Sequence, residues 1–160
     1  MSRTRAITPA ELHKLLRRLD DPTRLAVRIA ADTGLRISDI LAIRSDQVAA
    51  QMVVTERKTG KQRKVRLRPD TLKAAKAYAK YSGRYLIDRN RSTVYRQIRA
   101  AAADMPHISM HSIRKYYAKK FCAAHGLRAT QRELQHDYLS TTLLYVTDIQ
   151  RSKENVYLQK

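Results

Sequence analysis

The sequence predicts an α+β domain that is mostly helical, with one small antiparallel sheet inserted after the third helix. Apolar residues recur at helical spacing through most of the chain, whereas residues 52–67 have apolar residues on both sides of a turn that contains glycine. A length of 160 residues with 43% hydrophobic side chains suits one folded domain with a real core. These observations together favour a single, largely helical domain.

Capping signals define the first helices. Residues 8–11, TPAE, have the pattern of a capping box with proline in the first turn, and leucines at helical spacing follow through residues 12–19. A second helix begins at the Asp-Pro of residues 21–22 and ends at Gly34, a residue typical of helix C-termini. A third helix is expected over residues 38–44.

The polarity pattern changes after the third helix. Apolar residues on both sides of the turn KTGK, residues 58–61, predict a β-hairpin. Further helices are then expected at about residues 69–83, 95–103, 110–124, 129–134 and 140–147. We therefore divide the chain into a domain of residues 1–148, with its core from about residue 7, and a polar C-terminal tail of residues 149–160.

The charge balance narrows the class of partner. Lys and Arg total 33 against 14 Asp and Glu, which gives a net charge of +19. Such an excess predicts a densely anionic partner, with nucleic acid first and an anionic membrane surface second. The apolar runs are too short to span a bilayer, a secretory signal is missing at the start, and the single Cys122 fits a reducing cytoplasm. Secreted scaffolds, membrane-spanning proteins and disordered chains are excluded.

The candidate chemistry rests on cations and tyrosine rather than on metal ligands. No Cys/His grouping has zinc spacing, and Pro106 interrupts any helix that would join His107 to His111, so we expect neither metal nor cofactor. Arg36 follows a sharp turn between two helices. His111 and Arg114 are three residues apart and share a helix face.

Three more residues complete this set. Lys58 lies at the mouth of the hairpin, a mobile place suited to reaching over a bound strand. His136 and Tyr145 are nine residues apart near the C-terminus. Two arginine forks, with a histidine and a lysine, are able to neutralise the charge that builds on a phosphorane-like transition state without any metal.

Four segments together resemble the signature of the tyrosine recombinases, the phage integrase family. They are, in chain order, TGLRISDIL at 33–41, KTG at 58–60, HSIR at 111–114, and LQH at 134–136 followed nine residues later by Tyr145. The resemblance covers about residues 7–148. Single R-x-S or H-x-x-R motifs are common by chance, so its strength lies in the order and spacing of all four.

The resemblance implies a role for each residue of the set. Tyr145 would attack a DNA phosphodiester, giving a 3′-phosphotyrosine and a free 5′-hydroxyl. Arg36 and Arg114 would clamp the non-bridging oxygens of the phosphate, and His136 would donate a hydrogen bond to it. A free phenol has a pKa of about 10, so Tyr145 needs a base or nearby cations to become a nucleophile.

Further roles follow from the same resemblance. Lys58 would be the general acid that protonates the leaving 5′-oxygen, and His111 would accept the tyrosine proton. Asp39 would orient active-site groups without touching the phosphate. The family usually has glycine where Gln135 stands; if that glycine takes a positive φ, Gln135 carries backbone strain. Tyr116 and Tyr117 replace a common family sequence and are expected to change packing or DNA contacts rather than chemistry.

Two expectations have plain structural alternatives. Cations along the hairpin are expected to contact DNA phosphates, although a solvated charged face is the other interpretation; these residues are Arg57, Lys61, Arg63 and Lys64. Tyr145 taken alone has the alternative of being a core tyrosine on a C-terminal helix.

The predicted function is that of the catalytic domain of a site-specific recombinase or integrase, which cleaves and rejoins DNA without a metal. The alternatives are a type IB topoisomerase and a non-catalytic DNA-binding protein on the same fold. The expected partners are double-stranded DNA and further copies of the chain, as a tetramer on DNA and mostly a monomer when free, in the cytoplasm, with the gene carried by a bacterium or phage. We also expect that the N-terminal domain that completes a DNA clamp is absent and that the tail docks on a neighbouring protomer.

Overall fold

The computed structural model of the protein describes residues 4–147, so the expected boundary at residue 148 and the tail at 149–160 lie outside the described residues. Its elements confirm a mostly helical α+β fold with one two-stranded sheet after the third helix. The helices are α1 (Pro9–Arg18), α2 (Asp21–Thr33), α3 (Ile37–Ile40), α4 (Pro69–Ala79), α5 (Arg91–Ala101), α6 (Met110–His125), α7 (Leu127–Glu133) and α8 (Leu139–Val146), and the strands are β1 (Gln51–Thr55) and β2 (Gln62–Arg66).

The predicted capping signals are confirmed at the first two helices. The Thr8 hydroxyl accepts a hydrogen bond from the Glu11 backbone at 3.2 Å, and the Glu11 carboxylate accepts one from the Thr8 backbone at 3.0 Å. The Asp20 side chain caps α2 by accepting from the Thr23 backbone. Gly34 ends α2 in the left-handed conformation, with φ 64°.

Three helix boundaries differ from the prediction by four residues. The third helix ends at Ile40 instead of residue 44, because the chain turns there and Arg44 pairs with Tyr85 in an isolated β-bridge. α4 ends at Ala79, before Gly83. α5 begins four residues before the predicted start because Asn90 caps it, accepting from the Thr93 backbone at 2.8 Å.

The hairpin has one buried and one exposed face. β1 and β2 are antiparallel, and Met52 pairs with Val65 while Val54 pairs with Arg63. These four side chains are buried, whereas alternate residues such as Lys64 are exposed. The period of two therefore assigns every hairpin residue to the core or to solvent.

Helix α2 runs through the core, and its C-terminus lies against α6. Glycine is required at position 34 for two reasons. Its φ is positive, and a Cβ added at this position would lie 2.3 Å from the ring of Tyr117 on α6. This close approach brings Arg36, two residues further on, to the same end of the molecule as the first half of α6. Within residues 4–147, none of the helices is both long enough and apolar enough to cross a membrane.

Candidate active site

Side chains from two helix termini share one small cavity. A cavity of about 140 Å³ is lined by Arg36, which caps α3, and by His111 and Arg114 from the first turns of α6. Two residues of α5 for which the sequence predicted no role also line it: Arg91 and Tyr95, whose guanidinium and ring lie 6.0 Å apart. The two arginines expected to bind phosphate are therefore on the same side of the molecule.

Arg114 is the most deeply buried cation of the site, at 2% exposure. Its Nη1 donates to the Gly34 carbonyl at 2.5 Å and its Nη2 to the Leu134 carbonyl at 3.1 Å, while its Nε has no partner in the described chain. Burial, and then the neighbouring Arg36, lower the pKa of Arg114 to about 10. The guanidinium stays charged at neutral pH and has no acidic partner within residues 4–147, a state that favours binding of an anion.

Arg36 has a different anchor. Its Nη1 donates to the Glu56 carboxylate at 2.5 Å, and its side chain remains 23% exposed, while Glu56 is fully buried. Sequence reasoning gave Glu56 no role. A signal was present, because Glu56 has the same parity as the inward-facing Met52 and Val54 of β1.

Asp39 contacts the hairpin. It is buried, and its Oδ1 accepts a hydrogen bond from the backbone of Arg57 at 2.9 Å. The carboxylate therefore holds the residue that precedes Lys58, not the side chain of Arg36. This contact is compatible with the orienting role that the resemblance implies for Asp39.

His136 lies between Arg114 and α8. Its Nε2 lies 3.5 Å from Arg114 Nη2, and its Nδ1 lies 3.0 Å from the Thr142 hydroxyl. Because a guanidinium only donates, we assign the proton to Nδ1 and the lone pair to Nε2. Burial, followed by the charge of Arg114, lowers the pKa of His136 to about 4, so the ring is neutral near pH 7.

Tyr145 is half-buried and contacts both histidines. Its hydroxyl lies 3.3 Å from Nδ1 of His111, and its ring centre lies 4.9 Å from that of His136. The guanidinium carbon of Arg114 is 5.9 Å from the tyrosine ring centre. Burial, and then the charge of Arg114, lower the pKa of His111 below its usual 6.5, which keeps this imidazole neutral and able to accept a proton.

Lys58 is not part of this contact cluster. It lies exposed in the loop between the strands, and its ammonium makes no hydrogen bond or ion pair to any residue in the range 4–147. The loop itself is closed by hydrogen bonds from the Glu56 backbone to the Lys61 carbonyl at 2.9 Å and from the Gly60 backbone to the Glu56 carbonyl at 2.8 Å. The backbone around Lys58 is thus fixed by hydrogen bonds, while its ammonium group is not bound within residues 4–147.

Arg63 corrects the expected set of DNA-contacting cations. It is only 5% exposed, and its Nη2 donates to the Thr33 carbonyl and, at 2.6 Å, to the Glu133 carboxylate. Its guanidinium is therefore unavailable to a surface ligand. The other three residues of that set, Arg57, Lys61 and Lys64, are exposed.

The two departures from the family pattern have local consequences. Gln135 has φ 52°, as expected for a residue that replaces a glycine of positive φ, and its side-chain amide donates to the Gln62 carbonyl at 3.2 Å. Tyr117 packs on Gly34 and donates its hydroxyl proton to Glu133 at 2.7 Å. The second departure therefore changes packing, not the cluster around Tyr145.

Metal ligands are not grouped in this part of the chain. Among residues 4–147, no three or more His, Cys, Asp or Glu side chains lie together in a way that would hold a metal ion. His107 is outside α6 and has φ 66°, so it does not share a helix face with His111.

Comparison with known families gives one match over most of the chain. The sequence profile of the Phage integrase family matches residues 5–151. A comparison with curated proteins finds no match.

Several solved structures have a similar fold. The XerA recombinase has a TM-score of 0.76 and 21% identity over 92% of this chain and 60% of that chain. A lambda integrase dimer bound to a COC′ core site has a TM-score of 0.75 and 21% identity, and the match covers 99% of this chain and 52% of that chain. A lambda integrase tetramer bound to a Holliday junction has a TM-score of 0.72 and 23% identity, and the match covers 92% of this chain and 49% of that chain. The catalytic domain of bacteriophage HP1 integrase has a TM-score of 0.69 and 20% identity, and the match covers 89% of this chain and 87% of that chain. The chain thus spans 60% or less of the length of the first two proteins.

Proposed function

The chain belongs to the phage integrase family, and from this premise we propose that it is the catalytic domain of a site-specific DNA recombinase. The observation that carries the proposal is the contact between the Tyr145 hydroxyl and a neutral His111, 3.3 Å apart beside the buried Arg114. A phenol next to a proton acceptor and a guanidinium without an acidic partner is suited to attack on a phosphodiester.

In the proposed complex, the scissile phosphate enters the cavity that Arg36 and Arg114 line. Arg36 donates one N–H to Glu56 and would direct its other N–H groups to the phosphate. Arg114 adds a buried positive charge. An anion there offsets the cost of keeping Arg114 charged in the interior. To donate a hydrogen bond to the phosphate from Nε2, the neutral His136 would move its proton from Nδ1 to Nε2, and the Thr142 hydroxyl would then donate to Nδ1.

In the proposed cleavage step, residues of this chain accept the proton of the nucleophile and supply the proton of the leaving group. His111 Nδ1 takes the hydroxyl proton of Tyr145 while the phenolic oxygen forms a bond to phosphorus and the bond to the 5′-oxygen breaks. Lys58 donates a proton to that leaving oxygen from the hairpin loop. Rejoining is the reverse: a 5′-hydroxyl attacks the 3′-phosphotyrosine, and Tyr145 recovers its proton from His111. The energy of the broken bond is kept in the phosphotyrosine.

The proposed substrate is double-stranded DNA. The support is the net charge of +19 together with the exposed hairpin cations Arg57, Lys61 and Lys64. We propose further that copies of the chain assemble on DNA as a tetramer, because exchange between two sites requires four cleavages, and that the free protein is mostly a monomer in the cytoplasm.

Trapping the covalent intermediate tests this function. Duplexes enriched by the protein from a random library are prepared with a nick beside the cleaved bond, so that the released fragment diffuses away. Wild-type protein is expected to give a covalent protein–DNA band that persists in EDTA and is lost in Tyr145→Phe. Tyr138→Phe is the matched control, because Tyr138 is 74% exposed and only two residues from His136.

The outcomes also separate the alternatives. Absence of an adduct on DNA that the wild-type protein binds would identify a non-catalytic binding protein. Relaxation of a supercoiled plasmid that carries one site, without exchange between two sites, would identify a topoisomerase. Strand exchange between two labelled duplexes supports the recombinase.

A further inference from the structure

A buried carboxylate lies at the point where the hairpin meets the cavity. Glu56, the first residue after β1, is fully buried, and its two oxygens face two arginines. Oε2 lies 2.5 Å from Nη1 of Arg36, and Oε1 lies 3.9 Å from Nη1 of Arg63. An acidic group so close to a cavity proposed to bind a phosphate is electrostatically unfavourable for the ligand, so its presence calls for a compensating role.

The groups around the Glu56 carboxylate are themselves fixed by hydrogen bonds. The Glu56 backbone forms hydrogen bonds to both Gly60 and Lys61, which close the hairpin loop. On its other side, Arg63 is itself held by Glu133 and the Thr33 carbonyl. Oε2 of Glu56 accepts from Arg36 and lies 3.5 Å from the Thr59 hydroxyl, whereas Oε1 has no hydrogen-bond partner among residues 4–147. Arg36 is thus anchored at one edge to a fully buried carboxylate, while its other N–H groups stay available.

The same region contains a second carboxylate contact that runs in the opposite direction. Asp39 of α3 accepts from the Arg57 backbone at 2.9 Å, while Glu56 of the hairpin accepts from Arg36 at the start of α3. Helix α3 and the hairpin thus each provide a carboxylate that accepts a hydrogen bond from the other. The residue after Arg57 in the hairpin is Lys58. Any displacement of the hairpin base relative to α3 would move Arg36 and Lys58 together.

We propose that Glu56 is a positioning residue for the strand-cleavage reaction, fixing the orientation of the Arg36 guanidinium and joining it to the base of the loop that carries Lys58. This inference rests on the proposed function and extends it to a residue outside the four signature segments. The positions of Arg36, which would bind the phosphate, and Lys58, which would donate the proton, then depend on each other. Displacement by about 1 Å in such a site is able to cost about 100-fold in rate.

Single-turnover cleavage of the substrate described above tests the proposal in Glu56→Gln and Glu56→Ala. Glu56→Gln keeps the shape and one acceptor oxygen, so it stays informative if Glu56→Ala fails to fold. Asp32→Asn is the matched control, because Asp32 is also a buried carboxylate paired with an arginine, Arg68, but lies outside the cavity. Circular dichroism melts establish that each variant is folded.

The expected result is a cleavage rate lower by about 10- to 100-fold in Glu56→Ala and by a smaller factor in Glu56→Gln, with DNA affinity not weakened more than about twofold. Asp32→Asn should cleave within about threefold of wild type. Glu56 variants that cleave at the wild-type rate, or no more slowly than Asp32→Asn, would overturn the proposal.

A second substrate separates the two partners of Glu56. When sulfur replaces the bridging 5′-oxygen, the leaving thiolate needs no proton, so a misplaced Lys58 no longer matters. The defect of Glu56→Ala should then shrink at least about threefold, with the remainder due to Arg36. An equal defect on both substrates would refute the link to the Lys58 loop.

A measurement without DNA distinguishes failure of this inference from failure of the proposed function. ¹⁵N NMR of the arginine side chains, assigned with Arg36→Lys, should show a resolved guanidinium signal for Arg36 that is lost in Glu56→Ala and kept in Asp32→Asn. An Arg36 signal that does not respond to Glu56→Ala would disprove the anchoring, whatever the protein does to DNA. If the Arg36 signal is present in wild type and lost in Glu56→Ala, but the wild-type protein forms no adduct, the anchor is supported and the recombinase function is refuted.

Discussion

The hydroxyl of Tyr145 lies 3.3 Å from Nδ1 of His111, and these two residues are 34 positions apart in the chain. The contact joins the first turn of α6 to the last turn of α8. Because burial keeps His111 neutral, the contact pairs an acidic hydroxyl with an available lone pair before any substrate is present. The following predictions begin from this pair.

His111→Ala should lower the single-turnover cleavage rate by about 100-fold or more, because the tyrosine proton loses its acceptor. In wild type the rate should stay level from pH 8 down to about 6.5 and fall only at lower pH, because the pKa of His111 is lowered from 6.5. His13→Ala, which changes an exposed histidine, is the control. A His111→Ala rate within tenfold of wild type would argue against this role.

Stability should depend on the protonation of His136. Its pKa is lowered from 6.5 to about 4, so the unfolded chain binds the proton more tightly than the folded one. The contribution is fully present above pH 6.5 and is lost as pH falls toward 4. After allowing for the partial exposure of the ring, we expect a loss of about 1 kcal/mol.

Urea unfolding at pH 7 and pH 4.5 measures this effect. His136→Asn removes the titrating group, so the free energy of unfolding of the variant should fall less between the two pH values than that of wild type. Equal pH dependence in both proteins would exclude His136 as the source.

Gly34→Ala should lower the free energy of unfolding by at least about 2 kcal/mol. The substitution combines a left-handed φ of 64° with a Cβ placed 2.3 Å from the Tyr117 ring. In a Tyr117→Ala background the collision disappears, and Gly34→Ala should then cost only about 1–2 kcal/mol. Thermal or urea unfolding of the four proteins of this cycle provides the measurement; additive effects would show that ring contact plays no part.

The hairpin cations should separate into two classes. Lys61→Gln and Lys64→Gln should each reduce the slope of log affinity against log salt by about one, since each lysine is exposed and expected to contact a phosphate. Arg63→Gln should leave that slope unchanged and instead lower the free energy of unfolding by about 3 kcal/mol, because it breaks a buried ion pair with Glu133. A change of salt slope in Arg63→Gln would contradict the assignment of its guanidinium to the core.

The elements around the site were predictable where a local signal exists. The capping box at Thr8, the glycine that ends α2 and the alternation of the hairpin are local, and each appears in the structure. The convergence of Arg36, Arg114 and Tyr145 was predictable only from the order of the four segments, because no local pattern specifies which distant residues meet.

Other features depend on the fold itself. Glu56 and Arg63 look like surface charges by residue type, and only the parity of the strands indicates that they face inward. The early end of the third helix was not predicted, because it is set by the bridge between Arg44 and Tyr85, residues 41 positions apart in the sequence. Tertiary contacts of this kind override local propensity.

Thr142, which holds the proton-bearing nitrogen of His136, lies one helical turn before Tyr145 on the same eight-residue helix. The Tyr145 hydroxyl and one hydrogen-bond partner of the neighbouring imidazole are consequently both positioned by the docking of a single short helix. Undocking of α8 would separate Tyr145 from His111 and, at the same time, remove the Thr142 hydroxyl from Nδ1 of His136. We therefore expect one rigid-body movement of α8 to displace the Tyr145 hydroxyl and the Thr142 contact together.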